Sequence, residues 1–375
     1  MTTETGKAAV LYHPLEEPVI EEHPLPSPEP GTLLLRVEQC GICGSDLYIY
    51  QGLHHGVFFP VILGHEIVGT VERLGKGKDT DFLGRPLTGG DRVVLVPAIH
   101  CGHCFFCAVA GTPSRCPNAV QYGFFTNAAP VPPFNGGFGQ YLYLHHPRTK
   151  LFRINAAPEA AVLAEPLGVA LHAVQRAGVV PGWTVAVQGA GPIGIMTALA
   201  CRVAGARMVV VTGRRQKKRL ELARLLGADL TISVDEVPDP GERVRLVREI
   251  SPHGYGADAV FECAGSPEVV GEGIRYARDS GVYCMVGNAV DRGTVPINPS
   301  LDIMEKNLRI EGIYDHAVEH FSRAVAVLER GEYPFGDMVT HRVPLERLGE
   351  ALVAFSEKRL LDGREAVKPA LAPWD

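Results

Sequence analysis

A glycine-rich turn in the middle of the chain constrains the fold more than any other feature. The turn is Gly189-Ala190-Gly191-Pro192-Ile193-Gly194, and it directly follows the apolar run Val185–Val187. Glycines let a backbone turn tightly and approach a pyrophosphate, and the N-terminus of the helix that follows offers N–H groups to an anion. A plain strand-to-helix turn is the alternative. The strand before the turn and the helix after it favour a dinucleotide site.

Apolar, β-branched runs alternate with amphipathic helical segments over the region that contains this turn. This alternation is typical of parallel strands with helical crossovers, and six strands complete a doubly wound sheet. The six predicted strands are Val185–Val187, Met208–Val211, Leu230–Val234, Ala259–Glu262, Val282–Val286 and Leu308–Ile313. The sequence therefore predicts an α/β fold for this part of the chain.

The rest of the chain differs in composition and in its pattern of apolar residues. Residues 1–154 are rich in proline and glycine and carry short β-leaning runs, which predicts an all-β barrel with long loops. A helix, a short strand and a second helix follow residue 314. At 375 residues the chain exceeds the usual size of one hydrophobic core. We expect a first domain over 1–154, the dinucleotide domain over 155–314, and a segment 315–375 that returns to the first domain.

The second predicted strand ends on an unusual residue. A dinucleotide domain that binds NAD has an acidic residue there for the adenosine ribose, whereas this chain has Gly213, followed by Arg214 and Arg215. Arginine matches a phosphate with two parallel hydrogen bonds. The pattern favours NADP over NAD, and a solvated helix start is the alternative.

Four cysteines crowd into a short segment: Cys101, Cys104, Cys107 and Cys116. Four thiolates complete the tetrahedral shell of a structural zinc without any distant residue. Reduced cysteines packed in a loop are the alternative. Cys40 and Cys43 form a separate C-x-x-C pair.

Several short motifs follow one another along the chain. In order they are Gly41-Ile-Cys43-Gly-Ser45-Asp46, Gly64-His65-Glu66, Gly90-Asp91-Arg92-Val93, the four cysteines, Glu165-Pro166-Leu167 and the glycine turn. Together they resemble the motifs of the zinc-containing medium-chain alcohol and polyol dehydrogenases, in the branch of sorbitol and threonine dehydrogenases. The resemblance implies a GroES-like catalytic domain, a Rossmann domain, one structural and one catalytic zinc, and a nicotinamide cofactor.

The resemblance also implies roles for individual residues. Cys43 and His65 match two ligands of the catalytic zinc, and the third is Glu165 or Glu66, of which we favour Glu165. Cys40 matches no ligand.

Three further residues match the catalytic part of the resemblance. Ser45 is expected to accept the hydroxyl proton of the substrate, and Asp46 to orient His65. Tyr48 stands where many relatives have a histidine that relays this proton.

These features predict a zinc-dependent enzyme that moves hydride between a secondary alcohol, polyol or cyclitol and NAD(P), with NADP favoured. A carbonyl reductase using NADPH, a catalytically silent NADP-binding protein and a zinc-free quinone reductase are the alternatives. The net charge of −6 argues against nucleic-acid and membrane partners and leaves a small alcohol or carbonyl compound. We expect a cytoplasmic homodimer or homotetramer.

Overall fold

The computed structural model describes residues 4–54, 56–123, 133–214, 217–357 and 359–375. The chain divides into two compact units, Met1–Glu165 with Ala317–Asp375, and Pro166–His316. The unit boundaries thus lie beyond the positions 154 and 314 that the sequence suggested. In the described part of the chain, no helix combines the length and the apolar character that crossing a bilayer requires.

The first part of the chain is mainly β-structure. Strands β3, β4, β5 and β9 pair antiparallel in that order, β8 pairs with the other side of β3, and β1 pairs with β2. The interior is filled by aliphatic side chains such as Leu33, Val37 and Val93, which are inaccessible to solvent. The strands are β1 Thr5–Val10, β2 Val19–Pro24, β3 Leu33–Gly41, β4 Glu66–Leu74, β5 Arg92–Leu95, β6 Ala98–Ile99, β7 Val120–Gln121, β8 Tyr141–Leu144 and β9 Leu151–Arg153; the helices are α1 Gly44–Tyr50, α2 Phe105–Ala108 and α3 Pro158–Ala161.

The second unit is a doubly wound sheet, which confirms the prediction from the alternating pattern. Its six strands are all parallel, in the order β12-β11-β10-β13-β14-β15. This order reverses beside β10, where such folds bind a dinucleotide at the carboxyl ends of the strands. The strands are β10 Thr184–Gln188, β11 Met208–Gly213, β12 Leu230–Ser233, β13 Ala257–Glu262, β14 Ala277–Met285 and β15 Arg309–Gly312; the helices are α4 Ala164–Ala177, α5 Pro192–Val203, α6 Lys217–Leu225, α7 Pro240–Ile250 and α8 Val270–Tyr276.

The C-terminal segment adds strands to the first sheet. Ala370 pairs with Gly41 and Leu371 with Cys40, so β19 extends the sheet beside β3, and β16 pairs with β19 in turn. Lys368 is thereby brought to the strand that leads into α1. The elements are α9 Val318–Arg330, β16 Val339–Val343, α10 Leu348–Glu357, β17 Leu360–Leu361, β18 Arg364–Glu365 and β19 Lys368–Leu371.

Candidate active site

Three side chains that can bind a metal converge where β3, α1 and β4 meet. Donor atoms of Cys43, His65 and Glu66 all lie within 4.8 Å of one another. Cys43 caps the N-terminus of α1, and Glu66 is the first residue of β4. One sulfur, one imidazole nitrogen and one carboxylate oxygen form a donor set that suits zinc and leaves a fourth position open for a substrate oxygen. The residues present therefore fit a catalytic zinc.

Asp46 ties the two segments that carry these residues together. It is fully buried; its Oδ2 accepts the Cys43 N–H at 2.8 Å, and its Oδ1 accepts the Gly64 N–H at 3.3 Å. The same Oδ1 lies 3.5 Å from Nδ1 of His65. Burial lowers the pKa of His65, but the charge of Asp46 outweighs that effect and raises this pKa well above its ordinary value. A carboxylate in this position orients the imidazole and increases its basicity.

Gly64 is required by its surroundings. Its φ is +90°, and a Cβ atom there would lie 2.5 Å from the Phe138 ring and 2.7 Å from Sγ of Cys40. Only glycine accepts both this backbone conformation and this close contact. Cys40 therefore packs behind the site as a buried residue, and it does not belong to the three-residue cluster.

The two candidate third ligands have different surroundings. Glu66 belongs to the cluster with Cys43 and His65, whereas Glu165, the residue that the sequence favoured, does not. Glu165 lies in the first turn of α4. Burial raises the pKa of Glu66, the charge of Lys368 opposes this rise and that of Glu165 adds to it, so the two carboxylates interact electrostatically. Glu66 is therefore the carboxylate that the structure brings together with Cys43 and His65.

Sequence reasoning missed a lysine that contacts Glu66. Nζ of Lys368 lies 2.6 Å from each carboxylate oxygen of Glu66, and the two side chains are 2% and 0% exposed. Burial lowers the pKa of Lys368, but the charges of Glu66 and Cys43 outweigh it and raise this pKa, so the lysine stays protonated. The available signal was a lone lysine in the apolar run that ends the chain.

Helix α1 also carries the predicted catalytic residues. Ser45 and Tyr48 are both half-buried and lie three positions apart, which places them on the same face of the helix. Ser45 follows Cys43 by two residues. The sequence-predicted proton acceptor and relay therefore share a short rigid element with one metal ligand.

The four cysteines of the second cluster converge as the sequence spacing suggested. Their sulfur atoms lie within 4.8 Å of one another, and Sγ of Cys104 is 3.8 Å from Sγ of Cys116. Sulfurs bound tetrahedrally to one zinc at ~2.3 Å are about 3.8 Å apart. Backbone contacts at His103 and Cys104 lower the pKa of Cys101 to about 6, whereas burial and the neighbouring thiols raise that of Cys107 to about 12. A bound cation is needed to hold all four as thiolates, so the cluster fits a structural zinc.

The glycine turn of the second unit has the shape that a pyrophosphate requires. Gly189 has a φ of +103°, and a Cβ atom at Gly194 would lie 1.8 Å from the Gly189 carbonyl oxygen. Gly191 is the N-cap of α5 and Pro192 its first residue, and no side chain caps the helix. The N–H groups of the first turn are therefore available to a phosphate.

The end of β11 lies against this turn. A Cβ atom at Gly213 would be 2.9 Å from Cβ of Ala190, which leaves little room for an acidic side chain. Arg214 follows and is exposed, while Arg215 lies outside the described residues. Sequence reasoning missed Arg219, which is 2% exposed and places Nη1 3.8 Å from the position of a Cβ atom at Gly191. The signal for it was an arginine on the buried face of α6, in helical register with Leu222 and Ala223.

The fold and these sites define the class of zinc- and nicotinamide-dependent dehydrogenases, and comparisons with known proteins agree. The profile of the alcohol dehydrogenase GroES-like domain matches residues 29–155, and that of the zinc-binding dehydrogenases matches residues 192–330. The chain belongs to the zinc-containing medium-chain alcohol and polyol dehydrogenase family. The predicted GroES-like and Rossmann architecture is thereby confirmed.

Curated relatives match over almost the whole chain. A 5-exo-hydroxycamphor dehydrogenase from Pseudomonas putida is 35% identical over 92% of this chain and 94% of its own length. D-arabinitol dehydrogenase 1 from Uromyces fabae is 32% identical, over 98% of this chain and 100% of its own. Sorbitol dehydrogenase from Bacillus subtilis is 30% identical, over 98% and 97%.

Solved structures show the same similarity. An alcohol dehydrogenase from Thermotoga maritima superposes with a TM-score of 0.91 at 30% identity, over 98% of this chain and 99% of that one. A zinc-binding dehydrogenase from Sinorhizobium meliloti bound to NADP has a TM-score of 0.84 at 29% identity, over 99% and 100%. An alcohol dehydrogenase from Escherichia coli in complex with NADH has a TM-score of 0.80 at 25% identity, over 98% and 99%. The protein is a zinc-dependent oxidoreductase that uses a nicotinamide cofactor.

Proposed function

We propose that this enzyme oxidises a secondary alcohol within a polyol, cyclitol or other cyclic compound, and that it reduces the matching ketone in the reverse direction. The observation that carries the proposal is the cluster of Cys43, His65 and Glu66. The hydroxycamphor, arabinitol and sorbitol dehydrogenases named above support this substrate class.

Each residue of the site has a separate proposed role. Cys43, His65 and Glu66 would hold the catalytic zinc, which supplies a Lewis acid that lowers the pKa of a substrate hydroxyl. Ser45 accepts the hydroxyl proton in a hydrogen bond, and Tyr48, which is half-buried on the same face of α1, passes it on toward solvent. The glycine turn would hold the nicotinamide cofactor, whose ring would supply the hydride-transfer chemistry.

Glu66 can serve as a ligand while it remains bound to Lys368. A carboxylate has about four lone-pair positions, and Lys368 uses one on each oxygen. A free lone pair on the oxygen nearest Cys43 and His65 is therefore available to zinc. Glu165 is the alternative ligand.

Zinc content together with activity tests this proposal. Purified enzyme should hold two zinc ions per chain and should oxidise secondary alcohols in a screen that includes polyols and cyclitols, followed by the absorbance of the reduced cofactor. His65→Ala should keep one zinc and lose activity. Cys40→Ala is the matched control, since this cysteine lies three residues before Cys43 but outside the cluster. This variant should keep two zinc ions per chain and its activity. Absence of zinc from the wild-type enzyme would refute the proposal.

The third ligand is tested by paired variants. Glu66→Gln should hold one zinc per chain and Glu165→Gln two, measured by metal analysis. The reverse result assigns the position to Glu165.

We also propose that the enzyme prefers NADP to NAD. Gly213 replaces the ribose-binding acid, and its close contact with Ala190 leaves little room for an acidic side chain at this position. Arg214 is exposed beside it, and the guanidinium of Arg219 lies near Gly191. These cations favour the extra phosphate of NADP.

The cofactor proposal is tested with two exposed arginines. Arg214→Ala should lower kcat/KM for NADP by about 10- to 100-fold, the worth of a hydrogen bond to a charged group, and should leave that for NAD nearly unchanged. Arg224→Ala, at the opposite end of α6, is the control. A wild-type preference for NAD would overturn the proposal.

A further inference from the structure

A buried glutamate connects the loops at the carboxyl ends of two neighbouring strands. Glu262 is the last residue of β13, and its side chain is inaccessible to solvent. Oε1 accepts the N–H groups of Ala264 and Gly265, each at 2.7 Å. Oε2 accepts the Gly287 N–H at 3.2 Å and Nδ2 of Asn288 at 2.8 Å. One carboxylate thus fixes residues 264–265, after β13, relative to residues 287–288, after β14.

These loops also press against the glycine turn. A Cβ atom at Gly189 would lie 2.8 Å from the Ala264 nitrogen, and one at Gly287 would lie 2.6 Å from the Gly265 nitrogen. The segments after β10, β13 and β14 are therefore in direct contact. A shift of one loop must displace the others, because close-packed backbone has no free space to absorb it.

The order of strands shows which part of the cofactor these loops meet. The adenosine end belongs beside β11, at Gly213 and Arg214, and the pyrophosphate belongs at the N-terminus of α5 after β10. Strands β13 and β14 lie on the other side of β10. A dinucleotide that crosses the sheet at this reversal point places its nicotinamide half over the loops that Glu262 holds.

The chemistry of the contacts favours an ionised glutamate. All four partners of the carboxylate are N–H donors, and an ionised carboxylate only accepts hydrogen bonds. Burial raises the pKa of Glu262, and the hydrogen bonds from these four donors oppose that rise. Among the described residues, Glu262 forms no ion pair with a lysine or arginine, so the N–H donors are what stabilises its charge. Hydrogen bonds to an ionised acceptor are about twice as strong as those between neutral groups. The result is a rigid junction.

We propose that Glu262 is a positioning residue for the nicotinamide half of the cofactor: it holds residues 264–265 and 287–288 in the arrangement that orients the ring for hydride transfer. The proposal rests on the use of a nicotinamide dinucleotide and is independent of the preference between NADP and NAD.

Glu262→Gln tests this role with little change in shape. The amide NH2 group faces at least one pair of N–H donors, so one loop loses its side-chain hydrogen bonds, although the Gly287 N–H keeps its bond to the main-chain carbonyl of residue 262 at 2.9 Å. We expect affinity for NADPH, measured by its fluorescence, to fall about 10- to 100-fold. Affinity for 2′-phosphoadenosine diphosphate ribose, which lacks nicotinamide, should change less than about twofold, and kcat should fall more than the KM for the alcohol rises. If the wild-type enzyme binds NADH instead, NADH and ADP-ribose replace these probes.

A second variant keeps the test decisive if Glu262→Gln does not fold. Asn288 is exposed, and Asn288→Ala removes a single donor, so we expect a smaller loss of the same selective kind. Asn298→Ala is the matched control, since this exposed asparagine bonds Ser300 and Leu301 in another loop and should change neither affinity. An equal loss for both ligands, or no loss for either, would overturn the proposal.

Discussion

The buried pair of Glu66 and Lys368 offers a quantitative test of how the catalytic zinc is held. Lys368→Met removes the cation and leaves a carboxylate that is 0% exposed without its partner. Loss of one member of a buried ion pair costs about 3–5 kcal/mol, because the remaining charge stays desolvated. If Glu66 binds zinc, the metal balances this charge, so the cost should depend on whether the site can hold the ion.

Cys43→Ser provides the background in which this site loses a ligand, while the four-cysteine cluster is untouched. We expect Lys368→Met to lower the free energy of unfolding in urea by about 3–5 kcal/mol in the Cys43→Ser protein. In the otherwise wild-type, zinc-loaded protein the cost should be smaller by about 2 kcal/mol, the order of one hydrogen bond to a charged group. The difference between the two costs measures the coupling between Lys368 and the metal site.

Lys306→Met is the matched control. Lys306 is also largely buried, with a side chain that is 14% exposed, but Nζ donates to the Ala277 carbonyl at 2.6 Å in the second unit. The Lys306→Met substitution should lower the free energy of unfolding by the same amount in both backgrounds. Equal costs for Lys368→Met in the two backgrounds would refute the reasoning and would favour Glu165 as the third ligand.

Three further predictions concern other parts of the molecule. Gly213→Asp alone should gain little activity with NAD, because its Cβ atom would lie 2.9 Å from that of Ala190, whereas the double variant with Ala190→Gly should gain more; equal NAD kinetics for the two would contradict this. Cys116→Ser should remove the structural zinc, so metal analysis should find one ion per chain. Asp81→Asn should destabilise the protein by about 1–3 kcal/mol at pH 7, because Asp81 accepts hydrogen bonds from Leu83, Arg85 and Arg153. Burial raises the pKa of Asp81, but the bonds from Arg85 and Arg153 outweigh it and lower this pKa, so the stability is present above the ordinary pKa and is lost as the pH falls below about 4; a difference in urea midpoint that persists at acid pH would contradict this.

The fold was readable from sequence because its signals are local. The run Val185–Val187 lies within β10, Thr184–Gln188, since a parallel strand covered on both faces is apolar at every position. The four cysteines likewise span only sixteen positions, Cys101 to Cys116, so their spacing alone brings the sulfurs together. Such features depend on neighbours along the chain.

The contacts of the carboxylates were not readable because they depend on distant residues. Lys368 is 302 positions from Glu66, and only the pairing of β19 with β3 brings them together. Consecutive side chains on a strand point to opposite faces, so strand periodicity gives no reason to expect His65 and Glu66 in one cluster, and Glu66 was a candidate ligand only through the family resemblance. The turn at Gly64, which has a positive φ, changes the direction of the chain just before both of them.

Lys368, Arg219 and Glu262 share a property that a sequence can reveal. Each is a charged residue in a run whose other buried positions are apolar, and each is less than 3% exposed. Desolvating a charge costs several kcal/mol unless partners compensate it, so a fold keeps such a residue only where strong partners are available. Lys368 and Arg219 each lie beside a place where a charged group is expected, zinc in the first case and a phosphate in the second, whereas Glu262 is surrounded by neutral N–H donors from residues 264–265 and 287–288. A charged residue among the regularly spaced apolar positions of a strand or helix therefore indicates a residue that lies next to a functional site. This holds even when its partner lies hundreds of residues away in the sequence.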